Sequence, residues 1–223
     1  MKKSAFTMLE LVFVIVAIGI LSAVFIPRFG QNKLSEAANQ LISHIRYTQH
    51  LALMDDKYGE NSAGATDWYK KRWQIVFSTA DANANNKPSY SIFSDKDADG
   101  TVDPNEIALN PIDKTKYLTG GVTGYAQLDI RNMSTFVGTK ELNLGTKYNI
   151  DTISLSASCS TGTKIAFDHI GRPLKGPLTS YTSPYDTAGG RGLITAPCDI
   201  TMTSSYGTVT IRIEPETGYV HLQ

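Results

Sequence analysis

The sequence predicts an α+β protein: a long N-terminal helix, transmembrane in its first half, packed on a C-terminal β-rich domain. Three observations carry this. Residues 6–26, FTMLELVFVIVAIGILSAVFI, are almost wholly apolar and hold one charge, Glu10. A helix of about twenty residues spans about 30 Å, the hydrocarbon thickness of a bilayer. Past this run, apolar residues recur at three- and four-residue spacings to residue 55 or so, the pattern of a helix with one buried stripe. From residue 60 onward Gly, Ser, Thr, Asn and Tyr are abundant, which reads as a β-rich, loop-rich domain outside the cytoplasm.

The N-terminus comes first in the chain. A short basic leader, Met1 to Ala5 with Lys2 and Lys3, precedes the apolar run. No small-residue cut site follows the run before Pro27, so this is not an ordinary secretory signal. Glu10 also needs a reason, since a carboxylate in a membrane helix costs up to ~3 kcal/mol. Cleavage between Ala5 and Phe6 supplies one. Phe6 then carries a free α-amine, and Glu10 becomes the fifth residue of the mature chain, placed to neutralise the amine of a neighbouring subunit. The alternative is a single-pass anchor in which Glu10 is incidental.

Residues 1–27 resemble the class III leader of type IV pilins and type II secretion pseudopilins. The matching residues are Lys2-Lys3, Phe6-Thr7-Met8-Leu9-Glu10-Leu11, Gly19 and Pro27. The family usually has Gly before the cut, where this chain has Ala5. The resemblance implies removal of residues 1–5 by a prepilin peptidase, N-methylation of Phe6 and a role for Glu10 in assembly. It implies a helix over 6–26 in the membrane or filament core, an amphipathic continuation over 27–55 and a globular domain over 56–223, the shape of a lollipop. It further implies a single-pass inner-membrane protein whose C-terminal domain lies in the periplasm or in an extracytoplasmic filament. The implied partners are other pilins or pseudopilins, the peptidase, the inner-membrane assembly platform and membrane lipid.

The chain has 223 residues, enough for one globular domain beyond the helix, and its 21 basic residues balance 21 acidic ones. That balance argues against a surface that coats nucleic acid, though a local patch stays open. The two cysteines, Cys159 and Cys198, are expected to pair outside the cytoplasm. A closed loop of about forty residues contributes roughly 4 kcal/mol in the chain-entropy model. Two separate buried thiols are the alternative.

Within the helical continuation, Leu34, Ala37, Ala38, Leu41, Ile42, Ile45 and Leu51 form the stripe, and His44 and His50 read as surface or boundary residues. A loop with Gly59 and Gly64 leads to Trp68-Tyr69-Lys70-Lys71-Arg72-Trp73. Bases interleaved with aromatics suit a nucleic-acid stacking patch. The plainer reading is a lead-in to a strand, with Trp73, Ile75 and Phe77 inward and Arg72, Gln74 and Val76 outward. A second strand, Tyr90 to Ser94, completes a hairpin with a long connection.

Next comes Asp95-Lys96-Asp97-Ala98-Asp99-Gly100-Thr101-Val102-Asp103-Pro104-Asn105-Glu106, which matches D-x-D-x-D-G-x5-E without a gap. Ca²⁺ takes six to eight hard oxygens at about 2.4 Å. Asp95, Asp97 and Asp99 supply one face, Thr101 a backbone carbonyl, Asp103 a direct or water-mediated contact, and Glu106 closes the site. Gly100 permits the sharp turn. A strand precedes the loop and Pro104 constrains the backbone at its far end, so the expectation is an EF-hand-like loop on a β-domain rather than a calcium sensor. A turn whose carboxylates face only water is the alternative.

Beyond the loop, Tyr125 to Ile130 and Leu142 to Leu144 read as short strands or edges, Lys164 to Phe167 as a strand, and Leu174 to Gly192 as a mobile loop. Thr208 to Ile213 and Tyr219 to Leu222 close the chain as strands. This part resembles minor pseudopilins and pilins of the GspH/FimT type, through Trp73 to Phe77, the loop ending in Glu106, Phe167-Asp168-x-x-Gly171-Arg172, and Ile211-x-Ile213-x-x-x-x-Gly218. That resemblance implies two antiparallel sheets packed face to face.

No G-x-S-x-G elbow, H-E-x-x-H or phosphate-cradling loop occurs, so no enzyme is expected. The expected function is a minor pseudopilin, a structural subunit of a type II secretion pseudopilus that takes part in protein secretion. The alternative is a minor pilin of a type IV pilus serving adhesion or DNA uptake. That reading would use Lys70, Lys71 and Arg72, or Arg172 and Arg191, as phosphate contacts.

Overall fold

The structure is a computed structural model and describes residues 7–58, 67–160 and 162–223, with the side chains of 23–32 left aside. Helix α1 spans Met8–Met54. It starts at a capping box: Thr7 Oγ1 accepts from Glu10 N, and the Glu10 carboxylate accepts from Thr7 N. This satisfies two backbone donors that a helix start leaves orphaned. The helix ends where Asp55 N donates back to Leu51 O at 2.9 Å.

The second half of α1 buries one stripe. Ala37, Ala38, Leu41 and Ile45 have no exposed surface, and Leu34, Ile42 and Ala52 lie beside them. Each large aliphatic side chain buried this way stabilises the fold by about 1.5–3 kcal/mol.

Beyond α1 the chain builds two antiparallel sheets. The first runs β2-β1-β4-β5, with β1 at Trp73–Ser78, β2 at Ser89–Ser94, β4 at Lys164–Phe167 and β5 at Pro173–Lys175. The second runs β3-β6-β7-β8, with β3 at Thr152–Leu155, β6 at Cys198–Ser204, β7 at Gly207–Ile213 and β8 at Val220–Leu222. One core joins the helix stripe to Ile75, Phe77, Ile92 and Ile165 of the first sheet and Ile200, Met202, Ile211 and Ile213 of the second. Helix α1 touches β1 and β4 of the first sheet and β7 and β8 of the second. The Cys159–Cys198 disulfide is present, and both residues lie in this core.

Two expectations are overturned. One is the fold class as a long helix with a transmembrane first half; the other is the single-pass inner-membrane location that went with it. Among the described residues, no helix is long and apolar enough to cross a membrane.

Local differences have local causes. Leu142 to Leu144 is no strand, because the Asn143 side chain accepts from Thr146 N at 2.9 Å and caps a short helix, α2, at Leu144–Tyr148. Tyr125 to Ile130 holds a 3-10 turn at Ala126–Leu128. The expected loop 174–192 begins as β5 and is packed down: Leu178 and Tyr181 are buried, and the Tyr181 hydroxyl donates to Lys175 O and accepts from Gly192 N. Gln74, expected outward, is buried too, because Tyr69, Leu174, Leu178 and Tyr181 cluster apart from the main core with Ala166 of the neighbouring strand β4.

Candidate metal centre

The acidic loop connects β2 to a segment that returns antiparallel along it. Ser94 N donates to Glu106 O at 3.0 Å, and Phe93 bridges to Ile107. The loop therefore turns a hairpin, with ends fixed by the first sheet. Gly100 sits at its apex with φ of +85°, where a side chain would be strained and a Cβ would lie 3.0 Å from Thr179 Cγ2.

Asp95, Asp97 and Asp99 come together, each offering a carboxylate oxygen within 4.8 Å of the others. Asp95 is buried, whereas Asp97 and Asp99 face out. Asp95 Oδ2 accepts from Gly100 N at 2.9 Å, and Asp95 Oδ1 is buried with no hydrogen-bond partner among the described residues. Burial pushes the Asp95 carboxyl up to about 6, with the nearby Glu106 adding to the rise. Asp99 moves the other way, held down by hydrogen bonds from Thr101 N and Thr101 Oγ1.

Glu106 stands apart from the three. Its Oε1 accepts from Lys96 N at 2.5 Å and Asp97 N at 3.4 Å, and its Oε2 accepts from Asp103 N at 3.3 Å. It ties the loop ends to each other, and burial raises its carboxyl. Asp103 accepts from the Tyr125 hydroxyl, and Thr101 Oγ1 donates to Asp99. The donor set is all oxygen, and one buried carboxylate oxygen lacks a partner, so the loop fits a hard divalent cation.

One residue that motif reading misses is Lys164. It projects from β4, and its Nζ donates to Gly100 O at 2.5 Å. Nothing in the local sequence marks it, because the contact spans 64 positions.

The other predicted site residues are scattered. Ala5 and Phe6, the cleavage and methylation positions, lie outside the described residues. Glu10 is exposed and bonded to Thr7 N and Oγ1, both at 3.0 Å, and these bonds hold its carboxyl below the usual range. Lys70 pairs with Asp67 at 3.4 Å, Arg172 with Asp168 at 2.8 Å, and Arg191 with Asp186 at 2.9 Å. Lys71 gives its backbone carbonyl to Ser94 Oγ at 2.6 Å.

Arg72 corrects the idea of a basic surface patch. It is 3% exposed and lies between Trp68, at 5.0 Å, and Tyr185, at 4.9 Å. Tyr185, remote in sequence, supplies the second ring, so the interleaved bases and aromatics build an internal stack. Arg172 lies on Tyr185 as well, at 5.1 Å.

Comparison with family models, with curated proteins and with solved structures finds no match for this chain.

Proposed function

We propose that the chain is a structural subunit of a filament of the type IV pilin and pseudopilin class, serving protein secretion as a minor pseudopilin. The reading rests foremost on the apolar limb of α1. Met8, Leu9, Leu11, Val12, Phe13, Ile15, Ile18, Ile20 and Leu21 are all more than half exposed, while Glu10 caps the helix start. An apolar surface of this extent marks an interaction site. Limbs of neighbouring subunits cover it best, since the same surface on each copy buries the same side chains.

In the same reading the Asp95, Asp97 and Asp99 cluster takes calcium, which staples the loop rather than switching it. A prepilin peptidase and other filament subunits are the partners. The arginines that would contact DNA in a pilus are stacked or paired, which favours the secretion reading.

Two measurements test this. A cysteine placed at Ile15 should join full-length chains to one another under oxidation in cells; monomer alone would sink the subunit reading. A deletion strain should lose secreted proteins and keep DNA uptake. Loss of uptake with normal secretion would move the protein to a DNA-handling pilus.

A further inference from the structure

We propose that the Lys164 ammonium is the built-in counter-ion of the acidic loop: it holds the loop in shape when no metal is bound and limits how tightly a divalent cation binds. The proposal rests on the reading of the loop as a divalent-cation site.

The geometry is specific. Lys164 begins β4 and pairs with Val76 of β1, so its backbone is fixed in the interior of the first sheet. Its side chain passes over the Phe93 ring at 5.2 Å and ends 2.5 Å from Gly100 O. The other side of the same residue, Gly100 N, is held by Asp95 Oδ2 at 2.9 Å. Gly100 is thus gripped from one side by a cation and from the other by the buried carboxylate. Among the described residues Lys164 forms no ion pair within contact distance; its charge acts through space on Asp95, Asp99 and Glu106. Lys164 is also partly buried, so that field is screened less than a surface charge would be.

An ammonium in that position does two things. It offsets repulsion among the carboxylates, so the loop need not open without metal. It also repels a divalent cation entering between them, so affinity is lower than the carboxylates alone would give. The two effects have opposite signs on removal of the charge, which separates this role from simple packing. A lysine that only packed would, when replaced, loosen the loop and weaken metal binding.

The test uses the full chain, with calcium chloride titrated calorimetrically and melting measured in chelator. Lys164→Met should bind calcium roughly tenfold more tightly than the native chain, melt lower in chelator, and recover on adding calcium. Lys164→Arg keeps the charge and should stay near native in both. If Lys164→Met does not fold, Lys164→Gln makes the same comparison. Native binding with equal or weaker binding by the neutral variant would overturn the counter-ion role and leave the metal reading standing. No calcium uptake by the native chain would remove the metal reading and this proposal with it.

Discussion

The Tyr90 hydroxyl lies 2.7 Å from His44 Nδ1 and accepts from Gln40 Nε2 at 3.0 Å. The hydroxyl and the imidazole share one hydrogen bond, whose direction follows the tautomer of His44. Tyr148 extends the network by donating to Gln40 Oε1 at 2.5 Å. These bonds tie α1 to β2 and α2 through polar groups that burial would otherwise penalise.

The burial of His44 at this contact makes stability depend on pH. Burial holds the His44 pKa down to about 4, against about 6.5 unfolded. As pH falls through 6.5 the unfolded chain takes the proton first, so the contribution is complete above 6.5 and lost toward pH 4. The difference amounts to about 3 kcal/mol. Melting temperature should therefore fall over this window, and His44→Gln should flatten the fall. His221 acts with the opposite sign, since its hydrogen bond to Glu214 raises its pKa and that contribution is lost as pH rises. Comparing the two proteins isolates His44; an equal slope in both would clear it of the effect.

Calcium should raise the melting temperature of the native chain and leave Asp95→Ala unmoved. At a concentration a hundredfold above Kd, binding stabilises by about 2.7 kcal/mol. Asp95 is the choice because its Oδ1 is buried and has no partner among the described residues. A calcium-dependent rise retained in Asp95→Ala would place the ion elsewhere.

Glu10→Ala should leave the two-sheet domain folded and abolish joining of neighbouring limbs. Far-ultraviolet circular dichroism reports the first and cysteine cross-linking at Ile15 the second. Glu10→Gln can still bond Thr7 N but lacks the charge, so it separates helix capping from pairing with a neighbour's amine. Normal cross-linking in Glu10→Gln would assign Glu10 to the capping box alone.

Arg72 offers an inverted expectation. Among the described residues its Nε and Nη2 are buried without partners, and only Nη1 bonds, to Pro184 O at 2.7 Å. Arg72→Lys should cost about 1–3 kcal/mol, since an ammonium cannot stack as a plane between Trp68 and Tyr185. Arg72→Met should cost less, because it removes a buried charge whose desolvation is poorly offset. Urea denaturation gives the order, and a Lys variant more stable than the Met variant would refute the argument.

Removing the disulfide with paired Cys159→Ser and Cys198→Ser substitutions should lower stability by about 4 kcal/mol. Reductant should lower the native melting temperature and leave the double variant unchanged.

Legibility in the sequence tracks the range of each interaction. The stripe from Leu34 to Ile45 is legible because helical period and burial coincide. The acidic loop is legible because its carboxylates are contiguous, and the cystine because only two cysteines exist. The Thr7-Met8-Leu9-Glu10 capping box is also a local pattern, overshadowed by reading Glu10 toward a neighbouring chain. Apolarity over 6–26 suggests a membrane span, whereas among the described residues no helix is long and apolar enough to cross a membrane. Arg72 and Lys164 are not legible in their roles. Tyr185 and Gly100, which define them, lie far along the chain, and no local spacing encodes such a meeting.

The hairpin that carries the acidic loop has a bearing on solubility. Its returning segment, through Ile107 and Thr119, occupies the outer hydrogen-bonding rim of β2. An uncovered strand of six such residues is a template for cross-chain pairing and aggregation. Copies crowded by their apolar limbs would meet such a rim at high local concentration. A loop that springs open would unzip Ile107 from Phe93 and expose it. In the counter-ion proposal, the Lys164 ammonium at Gly100 O guards that rim against misassembly as well as unfolding.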